Sequence, residues 1–176
     1  MCPVIIDLKE LINTAGNHEI TVQAKGEIIK PSPNTEKIYY NLAPESYLTF
    51  KSDSSFTIKA SSGCSWNGKI EYSLDKDTWT VWNRTTSISS GPSNILYMRG
   101  TDNTRITHSG SSGGFQFSGH DIDCFGNIEN LLDYKTVEKG EHPVMNNHCF
   151  YRLFKDCLSL RTAPDLCATT LTEGCY

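Results

Sequence analysis

The run from Cys149 to Tyr176 constrains the fold most, because it reads as one structural unit followed by the start of a second. Phe150, Leu153, Phe154 and Cys157 fall at i, i+3, i+4 and i+7, the apolar stripe of a short helix. Pro164 excludes helix around it and predicts an extended path from Arg161 to Leu166. Thr170 with Glu173 three residues on has the form of a capping box that restarts a helix. Cys175-Tyr176 then repeats Cys149-Phe150 twenty-six residues later, and Leu171 falls on Met145. A period of this length, with a helix and an extended piece per unit, is the signature of a solenoid. A single unit cannot bury a solenoid's open end, so the reading predicts either a longer protein or a partner that covers the C-terminus.

The spacing C-aromatic-x-x-hydrophobic-F-x-x-C-x-x-L, then A-P-x-L, T-T-L and C-aromatic is carried here by Cys149, Phe150, Leu153, Phe154, Cys157, Leu160, Ala163, Pro164, Leu166, Thr169, Thr170, Leu171, Cys175 and Tyr176. It resembles the leucine-rich repeats of BspA-like surface proteins of gut bacteria and their phages. The resemblance covers about the last sixth of the chain. It implies a binding solenoid and brings no catalytic residues with it.

Seven cysteines suggest a disulfide framework at first sight. Their odd number, the length of the chain and the absence of C-x-x-C argue against one. Eight residues of helix between Cys149 and Cys157 rise about 12 Å, beyond disulfide reach. The cysteines are therefore expected to be small apolar filler, and their spacings match no common zinc site.

Upstream, the sequence divides into three expected regions. Residues 1–42 hold Val4, Ile5, Ile6 and Leu8, an alternating run from His18 to Ala24, and Lys37 to Tyr40 after a proline-rich break. The pairing of HEITVQAKG with EKIYYN resembles the terminal hairpin of small immunoglobulin-like modules. The region is expected to be a partial module of that kind or an edge hairpin added to the next domain. Residues 43–110 carry short runs rich in β-branched and aromatic residues, namely Tyr47 to Phe50, Phe56 to Ala60, Lys69 to Leu74, Thr78 to Trp82 and Ile95 to Arg99. Their regular spacing predicts an antiparallel β-sandwich. Asp75-Lys76-Asp77 turns the clearest hairpin, with Trp79 and Val81 on one face and Trp82 on the other. Its EYSLD and tryptophans also resemble the β-domain that precedes such repeats.

Residues 111–176 open on a glycine-serine joint, Ser111 to Gly114. A strand around Phe115 and Phe117 and a helical stripe at Ile128, Leu131 and Leu132 follow, placed to cap the solenoid. The expected fold is α+β and mainly β: immunoglobulin-like sandwich material followed by the start of a leucine-rich-repeat solenoid.

Hydrophobic content of 38% without a long apolar run predicts no membrane span, and a net charge of −4 without a basic cluster argues against nucleic acid. Met1 to Ile6 lacks the charged start of a secretory signal. Trp66, Trp79, Trp82 and Tyr97 are candidates for a sugar-stacking platform, but most of them are expected to fill the sandwich core, since aromatics dominate core burial. His120, Asp121 and Asp123 offer too few oxygen ligands for calcium. The histidines at 18, 108, 142 and 148 sit in no nucleophile motif.

No catalytic residue, metal or cofactor is therefore assigned. The expected function is non-enzymatic adhesion at a cell surface or on a virion. The partner is a protein or glycan on a host or neighbouring cell, met by the exposed repeat residues Arg152, Lys155, Asp156, Arg161 and Asp165. The alternative is a carbohydrate-binding module that uses the tryptophan hairpin. A third reading, an enzyme fragment, requires a cleft that gathers His120, Asp121 and Asp123.

Overall fold

The computed structural model describes residues 47–176, together with the backbone of three short strands nearer the N-terminus. Contacts divide the chain into residues 1–44 and 45–176. In the first unit, β1 (Val4–Ile6), β2 (Ile28–Ile29) and β3 (Ile38–Tyr40) form an antiparallel sheet in the order β1-β3-β2. The strand expected from His18 to Ala24 lies outside the described residues.

The second unit is mainly β, with two antiparallel sheets and one helix. The smaller sheet orders β10 (Phe115–Ser118), β5 (Thr57–Ala60) and β8 (Ile88–Ser89). The larger orders β11 (Asp123–Phe125), β4 (Leu48–Lys51), β9 (Ile95–Thr101), β6 (Lys69–Ser73) and β7 (Thr80–Val81). In β9 the alternation is complete: Leu96, Met98 and Gly100 are buried, while Ile95, Tyr97, Arg99 and Thr101 are half-buried. Leu48 and Phe50 of β4 pair with Met98 and Leu96, so one face of the larger sheet carries the core. Phe50 meets Phe117 of the smaller sheet with ring centroids 5.3 Å apart, and Trp82 meets Phe115 at 5.5 Å.

β10 pairs with β5, and β11 pairs with β4. The division expected after residue 110 is therefore absent: strands from the supposed cap complete both sheets of the supposed sandwich. The glycine-serine run is no loose joint either. Ser111 is buried, Ser61 donates from its amide to the Gly114 carbonyl at 2.9 Å, and its hydroxyl donates to the Gly113 carbonyl at 2.6 Å. At Gly114 a small residue is needed because the chain passes directly over it, and a side chain there would collide with the Leu153 backbone.

Three stretches of chain run parallel and stack. In the first pair, Ile122 bridges Leu160 and Asn127 bridges Asp165, both parallel. The amide of Ile122 donates to Ser159, that of Arg161 back to Ile122, and that of Asp165 to Gly126. Phe115 likewise donates to the Leu153 carbonyl at 2.8 Å, and Ile106 to the Cys149 carbonyl at 2.7 Å. In the second pair, His148 donates to Glu173 and Phe150 to Cys175, each at 2.8 Å. Thr172 donates from its hydroxyl to the Asn146 carbonyl across a separation of 26 residues.

The helix expected from Phe150 to Cys157 does not form. The chain instead makes successive turns, with the amides of Leu153, Lys155 and Cys157 each donating three residues back. Arg152 and Asp156 adopt positive φ of 56° and 60°, which breaks any helix every fourth residue. The apolar positions still point inward: Phe150 and Leu153 are buried and Phe154 is partly so. Nor does a helix restart at Thr170; Gly174 turns the chain at φ 58° and puts Cys175 into the core.

The one helix of the described residues, α1 (Asn130–Glu138), is broken at Asp133, whose carboxylate accepts from the Lys135 amide at 3.0 Å. Leu131 and Leu132 bury themselves against β9. Asn103, also buried, ties the pieces together: its amide donates to the Lys69 and Leu131 carbonyls and its oxygen accepts from the Gly68 amide at 2.6 Å.

Cys64, Cys124, Cys149 and Cys175 are buried free thiols, and Cys157 is a half-buried one. Cys167 is disulfide-bonded, which corrects the expectation that every cysteine is reduced filler.

Candidate functional site

Trp66 and Trp82 lie within the core, 7% and 2% exposed, with ring centroids 5.2 Å apart. The Trp82 indole donates to the Thr86 carbonyl at 2.8 Å, and Arg84 covers the Trp66 ring. Neither ring is available to a sugar, which removes both from the candidate binding residues. The physical reason is the alternation itself: Trp82 takes the core face of its strand, and Trp79 with Val81 takes the other.

Trp79 is half-buried on the outer face of the larger sheet. Arg99 lays its guanidinium 3.9 Å from the Trp79 ring centre and 4.5 Å from that of Tyr134 on α1, and Tyr47 packs against Trp79 with centroids 4.6 Å apart. Glu71, opposite Arg99 on β6, holds the guanidinium at 2.8 Å. The cluster is an aromatic cage already filled by its own cation. Tyr97 is crossed by Lys76 at 4.7 Å, so the outer aromatics form no bare platform.

The exposed residues expected to meet a partner are all exposed, and they fall into two groups. Lys155 and Asp156, 3.6 Å apart, edge a polar groove of about 320 Å³ with Ser61, Ser112, Gln116 and Ser159. Arg152 and Arg161 border two shallow apolar hollows of about 240 and 260 Å³, both of which include Phe154, Ala163 and Pro164. Asp165 follows Pro164 and is held through its backbone by Gly126 and Ile128. Arg161 is bound to Asp123 through contacts of 2.7 and 3.3 Å, which hold the Asp123 carboxyl below the usual carboxylate range and raise Arg161.

No acid–base pair forms where the enzyme reading requires one. His120 and Asp121 touch at 2.9 Å but are exposed, and Asp123 is engaged by Arg161 instead. Burial pushes the Cys64 and Cys157 thiols up to about 11 and Cys149 to about 12, so these sulfurs stay protonated at neutral pH and are poor nucleophiles. Among the described residues no three His, Cys, Asp or Glu side chains are grouped to hold a metal ion.

One polar site escaped the sequence. Glu129 is fully buried, and both its carboxylate oxygens lie 3.0 to 3.1 Å from Nδ1 of His142. Asn127 adds a side-chain hydrogen bond at 3.1 Å. Glu129 opens the first turn of α1 and His142 follows its end, so only the return of the chain across the helix joins them. No spacing motif announces such a pair.

Comparison of the chain with protein-family models, with curated proteins and with solved structures finds no match.

Proposed function

We propose that this chain is a non-enzymatic recognition protein of a cell surface or virion: immunoglobulin-like β-sandwich material that leads into a leucine-rich-repeat solenoid of the BspA-like kind. The observation that carries the reading is the register of the C-terminal passes. Residues separated by 26 meet side by side at Asn146 and Thr172, Asn147 and Glu173, and Cys149 and Cys175. A stack in this register repeats equivalent surface positions from pass to pass, which suits contact with an extended protein or glycan. Arg152, Lys155, Asp156, Arg161 and Asp165 are the exposed side chains that follow this register along the pass.

A second reading, a carbohydrate-binding module, is favoured by the outward Trp79 with Val81, 57% exposed, beside it. Sugar stacking there requires Arg99 to leave the ring. Binding of the labelled chain to intact bacteria and to cultured animal cells tests both readings. The triple variant Arg152→Ala, Lys155→Ala, Asp156→Ala should lose saturable binding while Trp79→Ala retains it. The reverse pattern favours the second reading, and no saturable binding by the wild-type chain on either surface counts against both.

A further inference from the structure

We propose that the hollow in front of His142 is a binding site for one uncharged sugar ring or a comparable small polyol. The cavity has a volume of about 300 Å³ and is walled by His142, Pro143, Met145 and the threonines at 169, 170 and 172, with Glu129 behind. This site is separate from the repeat surface proposed above and does not depend on it.

The chemistry of the wall selects the ligand. Both Glu129 oxygens lie within hydrogen-bond distance of Nδ1, so one proton is held across that contact. The imidazole is thereby fixed in orientation, its side chain is 31% exposed, and Nε2 has no hydrogen-bond partner among the described residues. Nε2 can exchange a hydrogen bond with a ligand hydroxyl whichever of the two carries the proton, and the threonine hydroxyls both accept and donate. Thr172 already donates to the Asn146 carbonyl, which leaves its oxygen free to accept. Pro143 and Met145 supply an apolar surface for the C–H face of a ring.

Other ligand classes fit less well. Among the described residues of the wall an anion meets no lysine or arginine, and it has a buried carboxylate behind it. An ammonium group cannot reach that carboxylate, because Glu129 has no exposed surface. A metal ion lacks a second and third ligand among the described residues. A purely apolar ligand would leave the threonine hydroxyls and Nε2 dry and unpaired.

Titration calorimetry and saturation-transfer NMR of the full chain against free glucose, galactose, mannose, fucose, N-acetylglucosamine and glycerol test the proposal. At least one should bind saturably in the millimolar range and shift the His142 imidazole resonances. Thr170→Val, an exposed change that leaves folding intact, should weaken it by roughly fivefold, the worth of one hydrogen bond, and His142→Ala by more. Trp79→Ala and Arg152→Ala should leave it unchanged, which separates this site from the surfaces of the proposed function. Saturable binding by none of these compounds, or binding that Thr170→Val leaves intact without any His142 shift, overturns the proposal.

Discussion

Phe150 and Tyr176 lie ring on ring, with centroids 5.8 Å apart and planes 7° from parallel. The same two passes are joined by the hydrogen bond from the Phe150 amide to the Cys175 carbonyl, so the rings continue a backbone register. Phe150 is 2% exposed and Tyr176 is 38% exposed, which makes the outer ring a lid on the inner one.

The two truncations should therefore differ. Phe150→Ala opens a cavity inside the stack and should cost about 3–5 kcal/mol. Tyr176→Ala removes a ring pair worth about 0.5–1.5 kcal/mol beyond its area and uncovers Phe150. Urea unfolding of the full chain compares them, and equal small costs would mean that the passes do not pack as described.

Gly114 sets how closely the second pass approaches the first. A Cβ there would meet the Leu153 carbonyl oxygen and Cα, backbone atoms that no rotamer change can move aside. Gly114→Ala should cost about 1–3 kcal/mol or more through overpacking. Gly113→Ala is the control: its Cβ would meet nothing within 4 Å, and its stability should stay near that of the wild type. Thermal melts of the two variants decide it.

Where the sequence pattern was local, it reached the structure. Alternation along β9 and the placing of Trp79 and Val81 on the face opposite Trp82 follow from period two alone, but which of those faces is buried does not. The expected helix at Phe150 failed because its stripe is equally satisfied by a string of turns: Phe150 and Leu153 are buried either way, and only the positive φ at Arg152 and Asp156 separates the two. No residue type announces that, since arginine and aspartate are ordinary on a helix surface. The boundary after residue 110 failed for a different reason. Gly113-Gly114 has the composition of a linker, but glycine also permits close approach, and here it lets Leu153 lie against the sheet. The Glu129–His142 pair depends on the path of the chain around α1, which no window of sequence contains.

The buried thiols give the fold an alkaline limit. Burial raises Cys64 to about 11, Cys149 to about 12 and Cys124 further, from an ordinary value of 9.0. A folded value above the unfolded one means that their contribution is intact below about pH 9 and is lost as pH rises from there towards 12. Chemical denaturation across that range should show falling stability, and Cys149→Ala should flatten part of the slope. At neutral pH the buried sulfurs should react with a thiol reagent only at the rate of unfolding.

The Arg161–Asp123 pair acts at the opposite end of the pH scale. The folded Asp123 carboxyl titrates below its unfolded value, so the pair contributes above about pH 4 and loses its contribution as pH falls through the folded value. Both side chains are partly exposed, which keeps the effect small and sensitive to salt. Melting temperatures of wild type and Arg161→Ala should converge on acidification, whereas a constant offset down to pH 2 would mean that Arg161 acts through packing instead.

Arg99 controls what the outer face can bind. Its guanidinium lies against both Trp79 and Tyr134 and is neutralised by Glu71, so three partners hold it over the one tryptophan that faces out. Arg99→Ala should bare that ring. Acrylamide quenching should then gain an accessible fraction, because Trp66 and Trp82 stay buried whatever Arg99 does. The same variant separates the two functional readings, since a glycan that stacks on Trp79 should bind more tightly once the guanidinium is gone. A partner of the repeat surface should bind Arg99→Ala as it binds the wild type, while stability falls by about 1 kcal/mol as the half-buried carboxylate of Glu71 loses its cation.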